Sequence, residues 1–212
     1  MLRATWLRAA FFPPQHLSRI HYFELVTPRS LDRRMLLTHQ QETRQMRDIL
    51  KTLKSEHDEL RKLFADMEKT TDRAKKSRGH ILNEIESGLI PHAKWEELVF
   101  YPAFKARADR EGLKSHAEAL QEHRAVELAV LPDLKAKYTG SVEFAGSAKV
   151  LGEFVDHHAK EEETTMFKMA RKLFSKEELA VMDEEYDHWK VSPDAAAVLA
   201  NALKQPRPEP VA

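Results

Sequence analysis

The chain has 212 residues, 42% hydrophobic and 32% charged, enough for one folded domain with a sizeable core and too apolar for disorder. Thirty-four Lys+Arg balance 34 Asp+Glu, so no net charge steers the chain toward nucleic acid or anionic lipid. There is no cysteine, which excludes disulfides, thiolate zinc sites, iron–sulfur clusters and cysteine nucleophiles, and no apolar run approaches the ~18 residues of a membrane span.

Residues 1–40 form a basic arm in which Arg3, Arg8, Arg19, Arg29, Arg33 and Arg34 face only Glu24 and Asp32. It reads as an organellar presequence, as a disordered arm, or as an over-extended start ahead of Met35. A presequence would send the chain to the mitochondrion or another organelle; otherwise the expected location is cytoplasmic. Residues 41–174 are helical in pattern. A first stripe uses Ile49, Leu53, Leu60, Leu63, Phe64 and Met67 at three- and four-residue steps. A second uses Ile81, Ile85, Leu89, Val99 and Phe100. A third uses Leu120, Val126, Val130 and Leu134, and a fourth Leu151, Phe154, Val155, Met166 and Met169.

Breaks fall near Thr71–Gly79, Ala108–Gly112 and Tyr138–Ser141, each a polar cluster with a glycine. Short connections between amphipathic helices imply antiparallel neighbours, so the expected fold is all-α, an up-down antiparallel four-helix bundle. Pro91, Pro102 and Pro132 lie inside these patterns and should kink or interrupt them. Residues 175–204 predict one or two short extra helices, with Ser175 as N-cap and Glu178 three residues on. The proline-rich 205–212 reads as a flexible tail.

Each stripe carries one histidine in register with its apolar residues: His57, His92, His123 and His158. His57 and His92 are 35 residues apart, as are His123 and His158. Turns near residue 74 and near Gly140 return each pair to the same height at about 1.5 Å per residue, so four imidazoles meet in one layer. Without a metal, each would need another hydrogen-bond partner in an apolar layer.

Carboxylates sharpen this reading. Glu96 lies one turn after His92, Glu162 one turn after His158, and Glu127 one turn after His123. A buried carboxylate without a partner is costly, so these glutamates ask for a cation. Imidazole and carboxylate donors without thiolate suit Fe, Mn or Zn rather than Cu(I). The expected ligands are His57, His92, Glu96, His123, Glu127, His158 and Glu162, with Glu96 and Glu162 able to bridge two ions. One ion would collect His123, Glu127 and His158; the other, poorer in ligands, would keep an open position for a small molecule such as O2, with Asp58 a conceivable extra ligand. Glu97 and Glu163, one position off the face, read as solvated partners of Lys or Arg. His157 reads as a rim residue, His116 as half-buried and satisfied, and Trp95, Tyr101 and Phe104 as packing.

His57, His92-x-x-x-Glu96, His123 and His158-x-x-x-Glu162 on four successive helices resemble the hemerythrin-like (HHE cation-binding) domain over roughly residues 45–172. The resemblance implies a non-haem centre of two Fe ions bridged by Glu96 and Glu162, Mn or Zn being the lesser alternatives. It implies O2 or a related small molecule as ligand, in a binding or sensing protein rather than an enzyme. The alternatives within the family are an oxidoreductase acting on O2, peroxide or NO, and an iron-responsive regulatory or storage module. Two positions depart from the family's O2 carriers. Glu127 stands where carriers have a histidine, and Glu162 follows its histidine by four residues where carriers place an aspartate five on. This harder ligand set favours the ferric state. No nucleic acid, membrane span or protein partner is readable.

Overall fold

The computed structural model describes residues 47–202, so the readings for the basic arm and the tail lie outside the described residues. Six helical rods follow one another: α1 (Ile49–Glu68), α2 (Lys75–Trp95, Glu96–Phe100 and Tyr101–Lys105), α3 (Arg110–Ala125, Val126–Val130 and Leu131–Ala136), α4 (Val142–Glu161, Glu162–Met166 and Phe167–Leu173), α5 (Lys176–Lys190) and α6 (Pro193–Ala202). Side-chain caps start five of them, Ser192 accepting from Ala195 N at the start of α6. Asp48 accepts from Leu50 N, Asp109 from Gly112 N and Ser141 from Phe144 N, while Ser175 and Glu178 form a reciprocal capping box. The short connections lay α1–α4 antiparallel as a bundle. Where the loops meet at one end, buried Arg78 donates to Thr70, to the Thr139 carbonyl and to the Ser141 carbonyl.

The prolines act differently from the expectation. Pro91 sits within the α-helical part of α2. Pro102 and Pro132 each follow, after one intervening residue, a five-residue π-turn, Glu96–Phe100 and Val126–Val130. A proline has no N–H for the carbonyl four residues back and its ring crowds that carbonyl. Widening the preceding turn relieves both problems, and Tyr101 N–H and Leu131 N–H bond back to Glu96 O and Val126 O. The third π-turn, Glu162–Met166, has no proline; inside it Thr164 Oγ1 donates to Lys160 O at 2.6 Å. All three begin at the level of the histidine layer, and π-turns are frequent at functional sites.

The apolar core is divided. One cluster gathers Ile49, Leu53, Trp95, Phe100, Tyr101, Phe104, Met166 and Phe167 with Leu179 and Tyr186 of α5. The other gathers Leu60, Phe64, Met67, Ile85, Leu89, Val126, Leu134, Phe144, Leu151 and Val155. The four histidines occupy the polar layer between them. Phe154, expected in the core, is 40% exposed, and its neighbour Val155 takes the inward position. Helix α5 is tied to α1 through Asp183, which accepts from Arg47 Nε at 2.7 Å and from Thr52 Oγ1 at 2.5 Å. Tyr186 packs on Trp95 with ring centroids 4.8 Å apart. Among the described residues no helix is long and apolar enough to cross a membrane.

Candidate metal centre

The histidine layer is buried. His57, His92, His123, His158, Glu96 and Glu162 are all buried, Glu96 completely. The imidazoles stand in two facing pairs. His57 Nε2 lies 3.0 Å from His92 Nε2, and His123 Nε2 lies 3.0 Å from His158 Nε2. The two glutamates span the pairs. Glu96 Oε1 is 3.2 Å from His92 Nε2 and its Oε2 3.5 Å from His123 Nε2. Glu162 Oε2 is 3.4 Å from His57 Nε2 and 3.7 Å from His158 Nε2.

The tautomers follow from the outer side of each ring. His57 Nδ1 donates to Glu163 (3.1 Å), His92 Nδ1 to Glu56 (2.9 Å), His123 Nδ1 to Glu97 (3.2 Å) and His158 Nδ1 to Glu122 (2.8 Å). A carboxylate only accepts, so the proton of each neutral imidazole is on Nδ1 and its Nε2 lone pair faces the centre. Two lone pairs at 3.0 Å repel unless a proton or a cation lies among them. Both oxygens of Glu96 and Oε2 of Glu162 are buried without any hydrogen-bond donor. Among the described residues the donors fall into two overlapping groups, His57/His92/Glu96/Glu162 and Glu96/His123/His158, each with its ligand atoms within 4.8 Å of one another. Donors about 2.0–2.2 Å from a common ion stand roughly 3.0–3.5 Å apart, so these separations suit a cation of the Fe, Mn or Zn type. Imidazole ligands whose far N–H is held by a carboxylate are the usual arrangement around such ions.

Without a metal, protons take up part of the negative charge. Burial works against the charged form of His92, yet Glu96 and Glu56 outweigh it and raise its pKa to about 10. The same opposition, with Glu162 foremost among the raising groups, lifts His158. Burial works against the Glu162 carboxylate too, but His158 and His57 hold it well below the ordinary range.

The arrangement has an internal two-fold. Glu56, His57, His92, Glu96 and Glu97 recur 66 positions later as Glu122, His123, His158, Glu162 and Glu163. The sequence holds a signal for the two outer glutamates that the reading passed over: the dipeptide Glu-His occurs at both 56–57 and 122–123. Glu97 and Glu163 do pair with bases, Lys94 and Arg61, yet they also hold imidazoles, a role the solvated reading did not give them.

Glu127 departs from the expected set. The structure places it outside both donor groups, with its Oε2 2.5 Å from Lys94 Nζ. It is the second residue of the π-turn after His123, and its side chain is mostly buried against Lys94. Without Glu127 the expected asymmetry is reversed, since the His57/His92 group offers four donors and the His123/His158 group three. Asp58 is likewise outside, exposed and paired with Lys54 and Arg61. A further asymmetry comes from Tyr101, read as packing. Its hydroxyl donates to Glu162 Oε1 at 2.8 Å and lies 3.2 Å from His123 Nε2. Burial first, then Glu162, push the phenol pKa well up, so it keeps its proton. His116 packs edge-on against Tyr101 at 5.9 Å, and His157 is solvent-exposed.

Two spaces adjoin the layer. A cavity of about 30 Å³, walled by Leu89, Ile90, Val126 and Val155, touches His123 and His158. An open groove of about 780 Å³ between α1 and α4 runs past Phe64, Gly146 and Gly152 to Arg61 and His57.

The family model described as the Hemerythrin HHE cation binding domain matches residues 48–170. A crystal structure of a hemerythrin HHE cation binding domain-containing protein from Mycobacterium kansasii superposes with a TM-score of 0.60 at 21% identity. It covers 74% of this chain and 91% of that one. No curated protein matches. At that identity the structural likeness speaks to the fold alone.

Proposed function

The chain belongs to the hemerythrin HHE cation-binding domain family, and from that premise we propose that it is a non-haem di-iron protein that binds or senses O2 or a related small molecule. The observation that carries this reading is the set of three carboxylate oxygens, two of Glu96 and one of Glu162, buried without donors between two facing imidazole pairs. A cation held at each pair would satisfy these oxygens, with Glu96 near both pairs. Iron held by His57, His92, His123, His158, Glu96 and Glu162 would supply one-electron redox chemistry and exchangeable coordination to a diatomic ligand.

The chain's own residues prepare the surroundings. Glu56, Glu97, Glu122 and Glu163 fix each imidazole with its Nε2 inward and raise its basicity. The cavity beside His123 and His158 is apolar and of diatomic size, which favours a small uncharged guest over water. Tyr101 holds a proton at its hydroxyl, hydrogen-bonded to Glu162 and next to His123. That proton supports a second reading, an oxidoreductase acting on O2, peroxide or NO, because reduction of such molecules consumes protons.

The test is to reduce the iron-loaded chain anaerobically, admit air and follow the optical spectrum. New near-ultraviolet absorption with a visible band that fades on deoxygenation supports binding, while repeated consumption of O2 or peroxide supports turnover. A folded chain that takes up no iron refutes both.

A further inference from the structure

The four glutamates that hold imidazole N–H groups need positive charge on their outer side, and three of them have it. Glu56 meets Lys190 Nζ at 3.3 Å and accepts from Tyr186 Oη at 2.7 Å. Glu97 pairs with Lys94 Nζ at 2.9 Å, and Glu163 with Arg61 Nη1 at 2.8 Å. Glu122 pairs with no lysine or arginine among the described residues. Its Oε2 accepts from His158, and its Oε1 lies 3.5 Å from His157 Nε2. His157 Nε2 also lies 3.4 Å from Glu161 Oε1, one turn along α4. The three donor atoms lie within 4.8 Å of one another.

We propose that Glu122, His157 and Glu161 form a surface site for a divalent transition-metal cation, separate from the buried centre. The cation supplies to Glu122 the charge that Lys190, Lys94 and Arg61 supply to the other three. The donors are one imidazole nitrogen and two carboxylate oxygens, with the remaining positions open to water because His157 is 64% exposed. That set suits zinc, manganese or cobalt, whereas magnesium and calcium prefer oxygen alone. The internal two-fold shows that the site is one-sided. Sixty-six positions before His157 and Glu161 stand Pro91 and Trp95, neither able to ligate, and there Lys190 of α5 provides the charge.

The test uses the full chain with its buried centre already loaded and excess metal removed. Zinc is then added under equilibrium dialysis to wild type, His157→Ala and Glu161→Gln. His157 and Glu161 are on the surface, so both variants keep the fold, which circular dichroism checks. The wild type should bind one more zinc per chain than either variant, or bind it at least tenfold more tightly. Identical isotherms for all three chains overturn the proposal and leave His157 as a solvated residue. Elemental analysis of the same samples reports the buried metal independently. A buried centre that fails to load removes the di-iron reading but not this site, if the zinc difference persists.

Discussion

Replacing Tyr101 with phenylalanine removes one hydrogen bond from a carboxylate that has none to spare. The Tyr101 hydroxyl donates to Glu162 Oε1 at 2.8 Å, and Glu162 Oε2 has no donor. In the metal-free chain the substitution leaves Glu162 Oε1 without its donor, with only His57 and His158 near the other oxygen. A bond to a charged group contributes about 1.5–3 kcal/mol, and orphaning a buried acceptor takes the loss to the top of that range, roughly 3 kcal/mol. In the loaded chain a cation satisfies the carboxylate, and the loss falls to about 1 kcal/mol. At about 2–4 °C per kcal/mol for a chain of this size, Tm should fall by roughly 6–12 °C when stripped and roughly 2–4 °C when loaded. Thermal melts of wild type and Tyr101→Phe, each stripped and loaded, make the comparison. Equal falls in the two forms, or a larger fall in the loaded one, would refute the claim that Glu162 is completed by a cation.

Three further outcomes follow from the same geometry. His92→Ala and His158→Ala should lose the buried metal, while Glu127→Ala should keep all of it because Lys94 already holds that carboxylate; elemental analysis decides, and loss of one ion would return Glu127 to the ligand set. Tyr186→Phe loosens Glu56 behind His92 and should weaken metal binding about tenfold in competition with a chromophoric chelator, so unchanged affinity would exclude a role for the Tyr186–Glu56–His92 chain. For the stripped chain, the His92 pKa raised from 6.5 to about 10 contributes stability fully present below pH 6.5 and lost as pH rises toward 10. Loading should reverse the trend, since a cation displaces those protons and binds better at higher pH. Urea midpoints of both forms at pH 6.5 and 9.5 test it, and a flat profile for the stripped chain contradicts it.

The bundle was legible because its four stripes keep a helical period and its turns gather polar residues and glycine. The equal spacing of the histidine pairs placed His57, His92, His123 and His158 at one depth before any coordinates, and the one-turn offset placed Glu96 and Glu162 with them. The π-turns were not legible. Two of them go with local relief around Pro102 and Pro132, while the third, Glu162–Met166, has no proline. Glu127, a one-turn neighbour of His123 in sequence, pairs with Lys94 outside the centre, and Phe154, expected in the core with Val155, is exposed. Tyr101 escaped notice for a different reason. A tyrosine among Trp95, Phe100 and Phe104 has the pattern of packing, and only the depth of its hydroxyl relative to Glu162 distinguishes it. Glu56 and Glu122 precede their histidines in sequence but serve the histidine of the neighbouring helix, a pairing that no single-helix periodicity encodes.

The central claim is that the buried layer of four histidines and two glutamates holds cations, and counting them is its most direct test. The full chain is loaded with ferrous iron under anaerobic conditions, passed over chelating resin to remove surface ions, and analysed for iron per chain beside His92→Ala. The account predicts about two irons per wild-type chain and near-complete loss in the variant. A folded helical chain that retains no metal, or equal metal in both chains, would contradict it.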